Sequence, residues 1–245
     1  MQFTTPPNQW SQLLRGPYLV EQLQQRLTEW GPSLFGFSLV KVDPLSDALS
    51  LSSSRLQQSV QLNQLQHEGA DLLGAATAMP FAPHSIDVCL LAHVLDYSDH
   101  RHDILREADI ALRDDGWLII TGFNPYSCAG LLSLVPGLKH KLPPWRQMLA
   151  PGRLEDWLRL LGFEVLQRDY FGFTGLLEVP MLGALRRRLY PHYCPSLASV
   201  YIILARKRRY PLTPIRSYQP IRASLQPSMA CQRHPNQQAR RDQAE

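Results

Sequence analysis

The middle of the chain alternates continuous apolar runs with one amphipathic segment, and this order restricts the fold more than any other feature. Residues 86–92 read IDVCLLA and residues 117–121 read WLIIT, each as apolar as a strand that is covered on both faces. Between them, residues 99–113 repeat apolar side chains at helical spacing, and Asp115-Gly116 follows as a stop signal. Strand, helix and strand in this order predict parallel strands joined by right-handed crossovers. Ligands of such sheets bind beyond the carboxyl ends of the strands.

Apolar spacing predicts five further strands and two further helices. The strands lie at residues 37–42, 59–63, 70–73, 163–166 and 200–205, and the helices lie at 10–30 and 154–161. The predicted fold class is therefore α/β: a doubly wound, mostly parallel, seven-stranded sheet of the Rossmann-like kind. Asp87, at the start of a strand, is interpreted as a turn or cap contact.

The predicted organisation has three parts. Residues 1–35 form an amino-terminal helical cap, residues 36–207 the α/β domain, and residues 208–245 a disordered basic tail. Residues 1–205 carry 16 basic and 19 acidic residues, whereas residues 206–245 carry 9 and 2. The alkaline balance of the protein therefore comes from its tail, and a nucleic-acid enzyme more often carries such charge on its folded part.

Two insertions leave the carboxyl ends of predicted strands, at residues 127–150 and 172–195. Both are expected to fold over the pocket, and the second includes Arg186-Arg187-Arg188. One interpretation is a lid for an apolar acceptor, with the arginines facing a phosphate or a membrane surface. The equally weighted alternative is an ordinary packed cap with a solvated basic helix end.

Several classes of protein are disfavoured. No apolar stretch approaches the ~20 residues of a membrane span, and MQFTTPPNQW does not resemble a secretion signal. The four cysteines form no CxxC pair, which disfavours a zinc module and favours the cytoplasm. His100 and His102 lack a third ligand, so no metal site is predicted. No GxGxxG follows a strand, which disfavours a dehydrogenase.

The block Ala70–Pro125 resembles class I S-adenosylmethionine-dependent methyltransferases of the methyltransferase-11 type. Its motifs are Met79-Pro80-Phe81, Ile86-Asp87, LREAD on a helix and DDGWLII on a strand, and LEDWLRLLGFEVL looks like the later helix–strand step. More narrowly, DVCLLAHVL, DDGWLIITGFNPYS and the late ARKR resemble the YafS-like proteins of bacteria.

This resemblance implies S-adenosyl-L-methionine as the cofactor. Family members usually hold it with a glycine-rich loop after the first strand, an acid after the second and an acid after the third. Here the loop reads Asp43-Pro44-Leu45-Ser46-Asp47 without glycine, the second strand ends in Asn63, and Ala75 replaces the third acid. The resemblance places the cofactor against Val42, Asp43, Leu45, Asn63, Ala75, Ala76, Met79, Ala92 and His93.

Methyl transfer is an in-line displacement in which alignment supplies much of the rate, so no fixed catalytic set is expected. The candidates are His93, Asn124 and Tyr126. His93 is interpreted as a base or substrate contact, or else as an ordinary loop histidine. Phe123-Asn124-Pro125-Tyr126 partly matches the Asn-Pro-Pro-Tyr signature of amino-group methyltransferases, but closing the strand at the pocket rim is the favoured interpretation.

The predicted function is methyl transfer to an unidentified small-molecule acceptor. The alternative is a catalytically inactive, methyltransferase-like binding or regulatory protein. An RNA-directed enzyme that binds through the basic tail ranks third.

Overall fold

A computed structural model of the protein describes residues 7–51, 55–64, 70–127, 147–172 and 198–209. Within these ranges, the strands are β1 Ser38–Val42, β2 Gln58–Asn63, β3 Leu72–Leu73, β4 Ile86–Ala92, β5 Leu112–Phe123, β6 Phe163–Phe171 and β7 Val200–Lys207. The helices are α1 Gly16–Trp30, α2 Val94–Tyr97, α3 Arg101–Ala111 and α4 Pro151–Leu160.

All seven strands join one sheet in the order β3-β2-β1-β4-β5-β7-β6. The strands from β3 to β5 in this order run parallel to their neighbours, and Val40 of β1 pairs with Val60 on one side and Cys89 on the other. β7 is antiparallel to both β5 and β6. The predicted seven-stranded, mostly parallel sheet is confirmed.

Helices pack on both faces of the sheet. On one face, α1 contributes Leu19, Leu23 and Leu27 to a core that includes Leu90 and Ile119. On the opposite face, α3 and α4 pack against alternate residues of the same strands, among them Cys89, Leu91 and Leu118. Burial of each leucine stabilises the fold by roughly 1.5–3 kcal/mol. The alternation explains why β4 is apolar at every position except Asp87, since both of its faces are covered.

The predicted amino-terminal helix is shorter than its apolar spacing indicated. Trp10–Gln12 is a 3-10 turn, and α1 begins only at Gly16, preceded by Arg15 in the left-handed conformation with φ 56°. The chain folds back so tightly that a Cβ on Gly16 would collide with the carbonyl of Trp10. As a result, Trp10 is separate from α1 and is available to pack elsewhere.

The helix predicted over 99–113 is also shorter. α3 spans Arg101–Ala111, and Leu112 already pairs with Ile86 at the beginning of β5. Asp115 adopts φ 66° within β5, where the pairing with β4 shifts register between Leu112 and Trp117, so the predicted stop signal lies beyond the helix end.

Much of the predicted insertions and tail lies outside the described residues, namely 128–146, 173–197 with Arg186–Arg188, and 210–245. Among the residues that are described, no helix combines the length and apolar character that crossing a bilayer requires.

Candidate functional site

The turn after β1 has a glycine-like backbone at Asp43. This residue has φ 68° and ψ 158°, a backbone conformation that residues other than glycine rarely adopt. Its N–H donates to the carbonyl of Leu62 at 2.9 Å. Its carbonyl accepts from Ser46 Oγ at 2.6 Å and from Gln61 Nε2 at 2.7 Å. The neighbouring strand therefore holds a tight turn that the family makes with glycine.

The Asp43 carboxylate has no hydrogen-bond or salt-bridge partner among the described residues. Its side chain is half-buried at the carboxyl edge of the sheet. Burial raises the pKa of Asp43 from 3.8 to about 6. A carboxylate that has lost water without gaining a donor is a favourable partner for a cationic ligand group.

A cavity of about 260 Å³ lies beyond the ends of β1 and β2. Trp10, Pro44, Asp47 and Asn63 are among its lining residues. The Oδ1 atom of Asn63 accepts from Gln61 Nε2 at 3.0 Å, so the amide N–H₂ of Asn63 is left for a ligand. Leu45 does not fill this cavity, because its side chain is buried in the core on the α1 side of the sheet.

The other predicted cofactor residues are distributed around this rim. Ala75 forms an isolated bridge with Ala78 in the turn after β3. The N–H of Met79 donates to Glu107 Oε2 at 3.2 Å. Asp43 and Asn63 are brought together through Gln61, whereas the remaining apolar positions are buried or partly buried: Val42, Leu45, Ala76, Met79 and Ala92.

A buried histidine–aspartate pair follows β4. His93 Nδ1 lies 3.0 Å from Asp96 Oδ2, and neither side chain is exposed to solvent. The same Asp96 oxygen accepts the N–H of Phe123 at 2.9 Å. Burial raises the pKa of Asp96, and the hydrogen bonds from His93 and Phe123 oppose that rise. His93 also has positive φ, 59°, at the first residue after the strand.

Trp10 covers this pair. Its ring stands edge-on to that of His93 with the centroids 5.6 Å apart, while Phe123 packs on His93 at 4.4 Å. The indole N–H of Trp10 donates to the carbonyl of Leu45 at 2.7 Å. Trp10 is thus a common wall between the 260 Å³ cavity and His93.

A second cavity, of about 630 Å³, lies beyond β5. Asn124 and Tyr126 line it from β5, with arginines 101, 153 and 168 around them. The Asn124 amide donates to the carbonyl of Ala198 at 3.0 Å, and its Oδ1 accepts the N–H of Tyr126 at 3.1 Å. These backbone contacts shape the rim, while Tyr126, 67% exposed, is available to a ligand.

Three residues with evident roles at this rim were not singled out from the sequence: Trp10, Gln61 and Asp96. Asp96 stands three residues after His93 in an apolar stretch, which was a usable signal. Gln61 stands two residues before Asn63 and therefore on the same face of β2. No local pattern marks Trp10, because its indole ring contacts Leu45 and His93, which lie 35 or more positions later.

The sheet order and the open edge above β1, β2 and β4 agree with what comparison with known proteins shows. A family model described as a methyltransferase domain matches residues 24–120. The uncharacterized protein YafS of Escherichia coli strain K12 is 37% identical over 212 residues, covering 86% of this chain and 85% of YafS. The chain belongs to the YafS-like branch of the class I methyltransferase family. S-adenosyl-L-methionine is the cofactor of this family.

Solved structures share the fold at low identity. A SAM-dependent methyltransferase from Archaeoglobus fulgidus matches with a TM-score of 0.53 at 14% identity, covering 77% of this chain and 94% of its own. A methyltransferase from Thermotoga maritima, named as a possible histamine N-methyltransferase, matches with a TM-score of 0.51 at 16% identity, covering 78% and 92%. At these identities the likeness establishes the fold alone.

The rim residues of the YafS-like chain fit this cofactor in charge and in hydrogen bonding. The cofactor carries a sulfonium, an ammonium group and ribose hydroxyls. The partnerless Asp43 carboxylate suits the positive groups, and the N–H₂ of Asn63 suits a hydroxyl oxygen. Ala75 and Ala76, partly exposed after β3, leave apolar surface for a base, whereas Ala92 is buried at the end of β4.

Proposed function

We propose that the protein transfers a methyl group from S-adenosyl-L-methionine to a small-molecule acceptor. The observation that carries this proposal is the Asp43 carboxylate, held in a glycine-like turn at the end of β1 and left without a partner. We assign Asp43 to the ammonium of the cofactor and Asn63 to its ribose. Ala75, Ala76, Met79 and Ala92 contribute contacts around the adenine.

A half-buried carboxylate without a donor is costly at neutral pH, and a cationic ligand offsets that cost when it binds. A hydrogen bond between charged groups stabilises the complex by about 1.5–3 kcal/mol. Loss of the Asp43 charge is therefore expected to weaken cofactor binding by roughly 10- to 100-fold, since 1.4 kcal/mol is a factor of ten.

Methyl transfer requires mainly that the protein align the acceptor with the methyl group. When bound, the cofactor supplies a methyl group activated by a positively charged sulfur. The protein positions the acceptor in line with that methyl group and excludes water. Asn124 and Tyr126, which line the larger cavity beyond β5, are proposed to contact the acceptor.

Calorimetry on the full chain with S-adenosylmethionine and S-adenosylhomocysteine tests the proposal. Asp43→Asn and Asn63→Ala are expected to weaken binding of both ligands, and Asp99→Asn, which changes an exposed carboxylate, serves as the matched control. Transfer of a labelled methyl group to members of an acceptor collection then tests activity. Absence of heat with either ligand at millimolar concentration would refute the proposal.

A second candidate, a catalytically inactive binding protein, is favoured by one observation. The cavity of about 260 Å³ above β1 and β2 is smaller than the ~300–1,000 Å³ typical of small-molecule sites, and Trp10 forms part of its wall. This candidate kept the fold and lost the cofactor, so it predicts no binding of S-adenosylmethionine or S-adenosylhomocysteine even at millimolar concentration. Calorimetry with both ligands therefore separates the two candidates.

Two further predictions concern the location of the protein and its binding of nucleic acid. The separated cysteines favour a cytoplasmic location, and burial raises the pKa of the Cys89 thiol to about 12, so this cysteine is chemically inert. Binding of nucleic acid through residues 206–245 is disfavoured, and deletion of those residues with an RNA-binding assay tests it.

A further inference from the structure

We propose that His93 accepts a proton from the acceptor, that Asp96 positions its ring, and that the acceptor group is accordingly a hydroxyl. This inference rests on the proposed methyl transfer and names the substrate class of that same site. It depends on three features of the pair: the tautomer that Asp96 selects, the unpartnered nitrogen of His93, and the place of His93 on the sheet.

Asp96 is arranged as a hydrogen-bond acceptor. Its Oδ2 receives the N–H of Phe123 at 2.9 Å and lies 3.0 Å from Nδ1 of His93. Burial raises the pKa of Asp96, and the guanidinium of Arg101, whose Nε donates to the carbonyl of Leu95 at 2.9 Å, opposes that rise. Because Oδ2 already accepts an N–H, a hydrogen on Nδ1 of His93 completes the contact between the two side chains, and Nε2 then presents a lone pair.

That lone pair has no partner. His93 Nε2 is fully buried and makes no hydrogen bond within the described part of the chain. An unsatisfied buried polar atom costs about 1–3 kcal/mol. Its ring cannot relieve this by turning, because Phe123 packs on it and Trp10 stands against its edge. The arrangement keeps a proton acceptor dry and oriented until a donor enters.

The backbone places His93 at the carboxyl edge next to the cofactor rim. β4 neighbours β1, the strand that ends at Asp43. The N–H of His93 donates to both the carbonyl and Oγ1 of Thr121, at 3.2 and 3.1 Å, which fixes its left-handed conformation. A histidine used only for packing does not require positive φ at this position.

A hydroxyl is the acceptor that needs such a base. Alcohols and phenols are weak nucleophiles until the proton leaves, whereas a thiol, with an ordinary pKa near ~8.5, is already partly ionised at neutral pH. A thioether or a tertiary amine has no proton to lose. The hydroxyl oxygen attacks the methyl carbon, the carbon–sulfur bond breaks with its electron pair going to sulfur, and the hydroxyl proton moves to Nε2. Asp96 then faces an imidazolium, whose charge it neutralises.

Trp10 covers one side of His93. Its ring packs on the imidazole with the centroids 5.6 Å apart, and its N–H donates to the carbonyl of Leu45. Binding at the β1 rim, where Leu45 lies, is therefore coupled to exposure of His93.

Nuclear magnetic resonance of ¹⁵N-histidine protein tests the tautomer without any enzymatic activity. The full chain at neutral pH is expected to show a protonated Nδ1 and a bare Nε2 for His93. The signal is assigned by its loss in His93→Gln, with His100→Gln, an exposed histidine, as the matched control. Should His93→Gln not fold, backbone correlations give the assignment. A protonated Nε2, either as the other tautomer or as an imidazolium, would overturn the proposal.

A transfer screen tests the substrate class. Labelled methyl groups are expected to reach alcohols or phenols and not thioethers or tertiary amines. His93→Gln is expected to lower kcat by 10²- to 10⁴-fold while the dissociation constant for S-adenosylmethionine stays within about threefold. Unchanged kcat in His93→Gln, or transfer confined to acceptors without a proton, contradicts the proposal. Failure of the wild type to bind the cofactor refutes methyl transfer itself, and the tautomer measurement still decides the state of the pair.

The pH profile separates positioning from a merely structural role. Asp96→Asn is expected to lower kcat and to change the pH dependence of kcat, and Asp99→Asn is expected to change neither. Tyr97, Tyr201 and Arg101 are the other ionisable groups facing Asp96. Burial raises the pKa of both tyrosines well above the ordinary value, so neither titrates near neutral pH. A profile identical to that of wild type, with kcat lowered only in proportion to lost folded protein, would leave Asp96 structural and overturn its role.

Discussion

Replacement of Asp43 by asparagine is expected to stabilise the ligand-free protein while weakening cofactor binding. Burial raises the pKa of this carboxyl from 3.8 to about 6. At 1.36 kcal/mol per pKa unit, the ionised form costs the folded state about 3 kcal/mol at neutral pH. Because the side chain is only half-buried, solvent screening reduces this, and we expect a gain of about 1–2 kcal/mol for Asp43→Asn. Asparagine also tolerates positive φ well.

The sign of the pH dependence follows from the same shift. Since the pKa of Asp43 is higher in the folded state, the folded protein binds more protons than the unfolded chain between pH 3.8 and about 6. Its contribution to stability is therefore complete at low pH and is lost as the pH rises through about 6. The wild type and Asp43→Asn should differ least in acid and most at neutral pH.

Urea unfolding of both proteins at several pH values measures this difference. A gain of 1–2 kcal/mol corresponds to a Tm increase of roughly 2–8 °C for a domain of this size. Asp99→Asn is expected to change stability by less than about 0.5 kcal/mol at any pH. Equal stability of wild type and Asp43→Asn across the whole range would refute the account of Asp43, as would a wild type that is more stable at neutral pH.

Three other perturbations are specified by single contacts. A Cβ on Gly122 would collide with the hydroxyl of Tyr201, so Gly122→Ala should lower the free energy of unfolding by about 1–3 kcal/mol, and addition of Tyr201→Phe should restore part of it in urea unfolding. Burial raises the pKa of Asp87, but hydrogen bonds from Ser38 and Phe37 and the charge of Arg113 hold it below its ordinary value. Asp87→Asn should therefore lower the free energy of unfolding by about 1–3 kcal/mol at neutral pH. This difference between the two proteins should vanish as the pH falls through the pKa of Asp87 in the folded state. Trp10→Ala should uncover His93 and make it react with diethyl pyrocarbonate, a reaction that mass spectrometry detects. Trp30→Ala, which changes a tryptophan in the same core, should leave His93 unreactive.

The strands of this fold could be predicted because their signal is local. β4 and the later part of β5 are continuous apolar runs, and a strand covered on both faces requires nothing else of its sequence. The beginning of α1 could not be predicted in this way. The apolar spacing continues back to Trp10, but the chain turns at Arg15 and Gly16, and the indole N–H donates to the carbonyl of Leu45 in the turn after β1.

The sequence predicts which residues lie at the candidate site, but not their protonation states or their contacts. Asp43, Asn63 and His93 could be identified from their places at the carboxyl edge, because Asp43 and His93 directly follow a strand and Asn63 ends one. Their states could not. The pKa of Asp43 depends on its burial in the folded protein, and the hydrogen bond that ties Asp96 to Phe123 joins residues 27 positions apart. A polar residue in an apolar segment predicts only that a partner exists, not which one.

Two of the five non-glycine residues with positive φ in the described ranges lie at the carboxyl edge of the sheet. Asp43 and His93 both have positive φ, and each is the residue that directly follows a parallel strand. Such conformations cost about 1–3 kcal/mol and persist only where neighbours over-determine them. Here those neighbours are adjacent strands: β2 holds Asp43 through Leu62 and Gln61, and β5 holds His93 through Thr121. Glycine would adopt both conformations without strain, so the turn geometry alone does not explain a carboxylate and an imidazole at these positions. This agrees with the proposal that the side chain of Asp43 binds the cofactor and that of His93 contacts the acceptor.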